Sequence, residues 1–253
     1  MFWALLGALL IGISLGLLGS GGSILTVSVL VYLVGEPDKI AIAESLGIVG
    51  IISLVGAIPY AIRKEVDWRN VIFFGLPGMV GAYGGAVLTQ FLSGNTQLIV
   101  FGTVMLLSSV LMIRDNSSLG KKKDDPNLIS PIWMIIQGLV IGLVTGVVGV
   151  GGGFLIIPAL VIVGGLSMRM AVGTSLLIIT LNSFLGFYKQ LDVLQSNDLS
   201  INWWLILIFA IIGIGGSFVG SKLSRKVPQT LLKRGFGVFL VVMGTYILGT
   251  SLF

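Results

Sequence analysis

The chain has 253 residues, of which 55% are hydrophobic and 10% charged, and its formal net charge is +5. Ordinary soluble domains carry about 25% charged residues, so this composition suits a bilayer and not water. Cysteine and histidine are both absent, which excludes disulfides, thiolate chemistry, iron–sulfur or haem ligation through these residues, typical zinc sites and every histidine-dependent triad.

Met1 to Gly35 carries no charge. It has no basic leading segment and no small-residue cleavage pattern, so it reads as a membrane element and not a cleaved signal. The stretch "GLLGSGGSILTVS", Gly16 to Ser28, interrupts it. Uncut, residues 2–34 would form a helix of about 50 Å against a hydrocarbon core of about 30 Å. Cut at the glycines, the pieces are about 24 Å and 18 Å long, one marginal and one too short to cross. A re-entrant hairpin is the expected form, and two short crossings would leave the topology of the rest unchanged. Three apolar segments follow, at about 40–62, 71–93 and 98–113, each expected to be helical because lipid forbids unpaired backbone groups.

The polar run "DNSSLGKKKDDPN" then divides the chain. Residues 1–118 read as a first repeat, 119–127 as a cytoplasmic linker and 128–253 as a second repeat. Pro126 to Met168 is again free of charge and holds a second cluster, "GVVGVGGGFLIIP", Gly146 to Pro158. Apolar segments at about 171–188, 203–221 and 235–252 complete the set. Trp3 falls on Trp133, Gly12 on Gly142, Gly19 on Gly149, Gly21-Gly22 on Gly151-Gly152, and "AIAESL" (Ala41–Leu46) on "AVGTSL" (Ala171–Leu176). Further on, Gly81, Gly85 and Leu88 match Gly216, Gly220 and Leu223. Such self-similarity marks two copies of one unit. The small-xxx-small pairs Gly81/Gly85 and Gly216/Gly220 read as close helix contacts. Pro59, Pro77 and Pro158 read as helix kinks.

Charge sets the orientation. A hairpin adds no crossing, which leaves three crossings per repeat. Every basic residue except Lys39 and Lys189 then lies in the cytoplasm, as the positive-inside rule requires, and both termini face outward. The net positive charge therefore calls for no nucleic-acid partner. An odd number of crossings per unit inverts the second copy relative to the first. Equivalent loops carry opposite charge bias: residues 63–70 are basic where 189–202 have one lysine, and 94–97 are uncharged where 222–234 are basic. The expected fold is thus an all-α polytopic membrane protein with an inverted-topology repeat, each half a glycine-broken element plus three transmembrane helices. That pattern belongs to transporters. The tryptophans fall at expected helix ends, where aromatic belts form.

A glycine in a helix interior costs roughly 1 kcal/mol relative to alanine, so two clusters at equivalent positions need a reason. A mid-membrane break leaves backbone N–H groups unpaired at the start of the next half-helix. A bound anion would satisfy them, aided by the helix dipole. The candidate substrate site is Gly19, Ser20, Gly21, Gly22 and Ser23 with Gly149, Val150, Gly151, Gly152 and Gly153. Ser45, Thr174 and Ser175 lie one helix further on, and Asn182 two turns deeper. All are neutral, and no Lys or Arg falls within a membrane segment, so a small anion would be held by dipoles and hydrogen bonds alone. Glu44 is the one carboxylate inside an apolar segment and is a candidate for proton coupling. It could equally snorkel to the nearby surface, and its counterpart is Thr174. The structural alternatives are plain: glycines for packing, hydroxyls of Ser45, Thr174 and Ser175 bonded to their own helix carbonyls, and Asn182 in an interhelical bond. No phosphate loop or dinucleotide fingerprint is present. No cofactor, metal site or enzymatic activity is expected.

The paired motifs "GLLGSGGSILTVSVL" with "AIAESL" and "GVVGVGGGFLIIPAL" with "AVGTSL" resemble those of the TauE/SafE family of sulfite exporters, over essentially the whole chain. In the first half Glu44 stands where the family pattern usually shows a small or hydroxyl residue. The resemblance implies transport of sulfur-containing oxyanions, sulfite or an organosulfonate, across the cytoplasmic membrane, in the direction of export. The residues themselves give only a small anionic substrate, a lipid bilayer and, with no nucleotide motif, a proton or other ion gradient or a partner as the energy source. A channel-like anion facilitator and a membrane accessory subunit without transport are the alternatives.

Overall fold

The computed structural model describes residues 2–20, 22–88, 94–114, 130–148, 153–195 and 199–252, and the described residues include no strand. Helix α1, Phe2–Leu18, ends where Gly19 takes a left-handed φ of 75° and its N–H donates to the Leu15 carbonyl at 2.8 Å. Glycine reaches that conformation without a Cβ penalty, which is why it caps helices. Helix α2, Gly22–Val29, passes into a π-helical turn, Leu30–Val34, and runs back along α1, with Gly22 against Leu15 and Gly7 against Val29. These two pieces form an antiparallel helical hairpin.

Helix α3, Asp38–Ile62, follows. The short α4, Trp68–Asn70, continues through a π turn, Val71–Gly75, into α5, Leu76–Leu88, and then comes α6, Gly94–Arg114. Later in the chain lie α7, Pro131–Val148, and α8, Gly153–Pro158, which runs into a π turn at Ala159–Val163. Pro158 stands at that join, a usual place for a departure from α geometry. The last three helices are α9, Met168–Gln195, α10, Trp203–Lys226, and α11, Gln229–Leu252. Helix α9 outruns its apolar segment because Leu194 is buried in a small cluster with Ile40 and Ala43, flanked by Ile201.

The π turns at Leu30–Val34 and Ala159–Val163 close alike. The N–H of Glu36 donates to Leu30 O and that of Leu166 to Leu160 O, both at 3.0 Å. All five tryptophans lie in the first turn of a helix and are exposed, as amphipathic rings at an interface would be. Among the described residues, four helices are long and apolar enough to cross a membrane: Lys39–Ile62, Met168–Leu191, Trp203–Lys226 and Gln229–Gly249.

Glycines set the closest crossings. A Cβ on Gly12 would collide with the Gly213 carbonyl, on Gly16 with that of Ser217, on Gly216 with that of Leu9 and on Gly220 with that of Ile13. Helices α1 and α10 therefore run parallel with backbone against backbone. Helices α7 and α5 do the same: a Cβ on Gly142 would meet Gly78, on Gly146 Ala82, and on Gly85 Leu143. Small residues at helix crossings allow this approach in lipid. By contrast α3 and α9 are antiparallel, since Gly47 faces Phe187, Gly50 faces Phe184 and Gly173 faces Tyr60. So are α6 and α11, where Gly102 meets Leu248 and Gly237 meets Ile113. The buried centre is filled by Ile11 and Leu15 of α1, Ile48 and Ile52 of α3, Leu176 and Ile179 of α9, Phe209 of α10 and Phe236 of α11.

Candidate functional site

The last four carbonyls of a helix have no partner within it. At the end of α1 two side chains from other helices supply partners for carbonyls at the break. The Tyr60 hydroxyl, fully buried on α3, donates to Gly16 O at 2.6 Å. The Ser175 hydroxyl on α9 shares its one hydrogen between Gly19 O at 3.2 Å and its own Val172 O at 2.9 Å. A Cβ on Gly19 would lie 2.8 Å from Ser175 Oγ and 3.0 Å from Ile157 Cδ1, so the break fits tightly between α8 and α9. Ser20 is fully buried. Gly153, which opens α8, sits where a Cβ would come within 3.2 Å of Ser20 Cβ. The two glycine clusters thus approach each other at Ser20 and Gly153. Ile157, Val172, Ser175 and Ile179 surround them, and none carries a charge.

Other candidates point elsewhere. Ser45 Oγ donates to Ile42 O of its own helix at 2.7 Å. Thr174 Oγ1 accepts the backbone N–H of Asp67 at 2.9 Å, and Glu44 Oε1 accepts that of Asn202 at 2.7 Å. Glu44 is fully buried and does not reach the surface. Asn182 is partly buried, and its Oδ1 has no hydrogen-bond partner among the described residues. Gly22 starts α2, with Thr26 Oγ1 donating to its carbonyl at 2.6 Å, and Ser23 is the next residue of that helix. Gly21, Gly149, Val150, Gly151 and Gly152 lie outside the described residues.

The sequence profile described as sulfite exporter TauE/SafE matches residues 4–247. The chain belongs to the TauE/SafE family. Its relatives include a probable membrane transporter protein of Xylella fastidiosa (strain Temecula1), 32% identical over 246 residues that cover 96% of this chain and 92% of that protein. The probable membrane transporter proteins MJ0441 of Methanocaldococcus jannaschii and YdhB of Bacillus subtilis are 27% and 26% identical, covering 95% and 94% of this chain and 94% and 96% of their own lengths. No solved structure matches. This TauE/SafE chain is therefore a multi-pass membrane protein of the transporter class.

Three residues of this TauE/SafE chain that touch the site or its supports escaped sequence reasoning. Tyr60 gave no signal, being one more aromatic in an apolar run. Asp67 and Asn202 did give one. Each is an N-cap whose side chain accepts a backbone N–H three residues on, Asn70 at 3.1 Å and Leu205 at 3.2 Å, and each precedes a tryptophan. Aligning those two cap-Trp pairs would have revealed equivalent helix starts.

Proposed function

We propose that the chain is a secondary transporter that moves a small sulfur-containing oxyanion, sulfite or an organosulfonate, by alternating access, with export as its direction. Its two halves, residues 1–118 and 128–253, are inverted copies joined by the linker 119–127. The glycine-broken elements are re-entrant hairpins, both termini face outward, and the membrane is the cytoplasmic one. The inversion is supported by the antiparallel pairing of α3 with α9 and of α6 with α11, which are equivalent helices in the repeat. That the halves are copies is supported too by the matching closure of the π turns at Leu30–Val34 and Ala159–Val163.

One observation carries the assignment of the site. Ser20 of the first glycine cluster and Gly153 of the second come together, in a buried and uncharged setting lined by the Ser175 hydroxyl. An anion there would be held by the amides that open α2 and by hydroxyls, without a fixed cation. Release is then not opposed by an ion pair. The site comprises Gly19 to Ser23 and Gly149 to Gly153, with Ser175 as donor. Ser45, Thr174 and Asn182 belong to its surroundings, and Glu44 to proton coupling. Purified protein in liposomes, loaded with sulfite or a sulfonate, should take up labelled anion faster when the same anion is present on the other side. A flux without such trans-stimulation would make it a pore, and no flux under any ion gradient would remove the transporter reading.

A further inference from the structure

We infer that Thr174 with Asp67, and Glu44 with Asn202, are two equivalent positioning latches, one at each end of the bundle, and that release of either one opens the glycine break to that end. The inference rests on the transporter reading for its purpose and on hydrogen bonds for its geometry. Thr174 Oγ1 accepts the Asp67 N–H and Glu44 Oε1 accepts the Asn202 N–H. The acceptors occupy the same place in "AVGTSL" and "AIAESL", and the donors the same place before Trp68 and Trp203. Both acceptors are fully buried.

Each latched amide begins a helix that bears a broken element. Asn202 caps α10, and α10 crosses α1 backbone to backbone. Asp67 caps α4, which continues into α5, and α5 crosses α7 in the same way. Ser175, next to Thr174, binds Gly19 O at the break itself. One dipeptide of α9 thus grips both the break and the helix start beside it. The Asp67 latch lies at the end that carries Arg63, Arg69 and Arg169, and the Asn202 latch at the end that carries Lys39 and Lys189. What the two latches share is an acceptor oxygen and not a charge, since threonine serves at one end and glutamate at the other. Both are closed in this structure. An amide left without its buried acceptor is unfavourable in lipid, so an open latch needs water, and water enters only where the end has parted.

The absence of cysteine allows a single reporter, Ser53→Cys, on the buried middle of α3. It is read with a membrane-impermeant maleimide applied to either side of reconstituted protein. Thr174→Val should raise labelling from the arginine-bearing side by about tenfold and leave the other side unchanged, the shift that follows from one lost hydrogen bond of about 1.4 kcal/mol. Glu44→Leu should do the reverse. Thr174→Ser and Glu44→Gln keep an acceptor and should label like the parent. Hydrogen exchange on the same proteins should show faster exchange at Asp67 or Asn202 alone. If Glu44→Leu does not fold, Glu44→Ala removes the acceptor without added bulk. Faster amide exchange with labelling unchanged, or raised equally from both sides, would overturn the latches and leave simple caps. Labelling needs no substrate, so sided labelling together with absent flux would sink the anion reading and keep the latches.

Discussion

Replacing Gly12 by alanine tests the architecture at its tightest point. The added methyl would sit far inside contact distance of the Gly213 carbonyl oxygen, while ordinary contact begins at 3.4 Å. That obstacle is backbone, and no rotamer change relieves it. Helices α1 and α10 must separate by about 1 Å, and Gly16, Gly216 and Gly220 lose their contacts in the same movement. Overpacking of this kind costs about 1–3 kcal/mol. For a chain of this size each kcal/mol lowers the melting temperature by about 2–4 °C, so Gly12→Ala should melt about 2–12 °C below the parent in detergent. Gly142→Ala, which would meet the Gly78 carbonyl, should behave alike. Gly84 and Gly215 have nothing within 4 Å of their Cβ positions, and their alanine variants supply the control. They should be neutral or stabilised by up to about 1 kcal/mol through helix propensity. Equal melting temperatures for Gly12→Ala and Gly215→Ala would refute the crossing.

Three further outcomes are expected. Tyr60→Phe leaves the Gly16 carbonyl without its buried donor, and should cost about 1–2 kcal/mol in unfolding free energy, read as a lower melting temperature. Ser175→Ala removes the bond to Gly19 O whereas Ser45→Ala removes only a bond within its own helix. Anion flux in liposomes should fall several-fold in the first, for a bond worth about 1 kcal/mol, and stay near parental in the second. Gly19→Ala and Gly35→Ala both place a side chain at a left-handed φ, 75° and 85°, but only Gly19 has a neighbour within contact, Ser175 Oγ. Both should lose about 1 kcal/mol of stability, and only Gly19→Ala should lose flux.

The helices were legible because lipid leaves little choice: an apolar run must be helical, and clustered glycines mark where it stops or where another backbone comes close. Gly81/Gly85 and Gly216/Gly220 announced crossings without naming their partners. The α7 backbone from Leu139 to Val147 receives the first pair and the α1 backbone from Leu9 to Leu17 the second, and nothing in a single chain says which small-residue faces will meet. Glu44 stood out as an acid in an apolar segment, yet its partner is a backbone amide 158 positions away. Backbone donors are the same at every residue and leave no trace in composition. Tyr60 was hidden for a related reason, since its partner is also main chain. Ser175 was legible as a polar residue in the motif, while its reach to Gly19 O depended on where α9 crosses the break.

The swapped crossings bear on how such a molecule could move. Rocking the first half against the second as rigid bodies would require α1 to leave α10 and α7 to leave α5. Those are the contacts where backbone meets backbone, and they cannot slide without collision. The α3–α9 crossing is different in kind. There Gly47 and Gly50 face the rings of Phe187 and Phe184, and Gly186 faces the Leu46 side chain, contacts that rotamer changes can absorb, while the one tight approach, Gly173 to Tyr60 Cβ, sits at the end of α3. Motion is therefore cheapest between α3 and α9, with α1 carried by α10 and α7 carried by α5. The hydrogen bonds that join α3 to the start of α10 and α9 to the start of α4 tie each of these two helices to one of the backbone-packed pairs. If those bonds govern access, a disulfide fixing α1 to α10 should leave flux intact, and one fixing α3 to α9 should stop it until it is reduced. The opposite result would return the motion to the sequence halves.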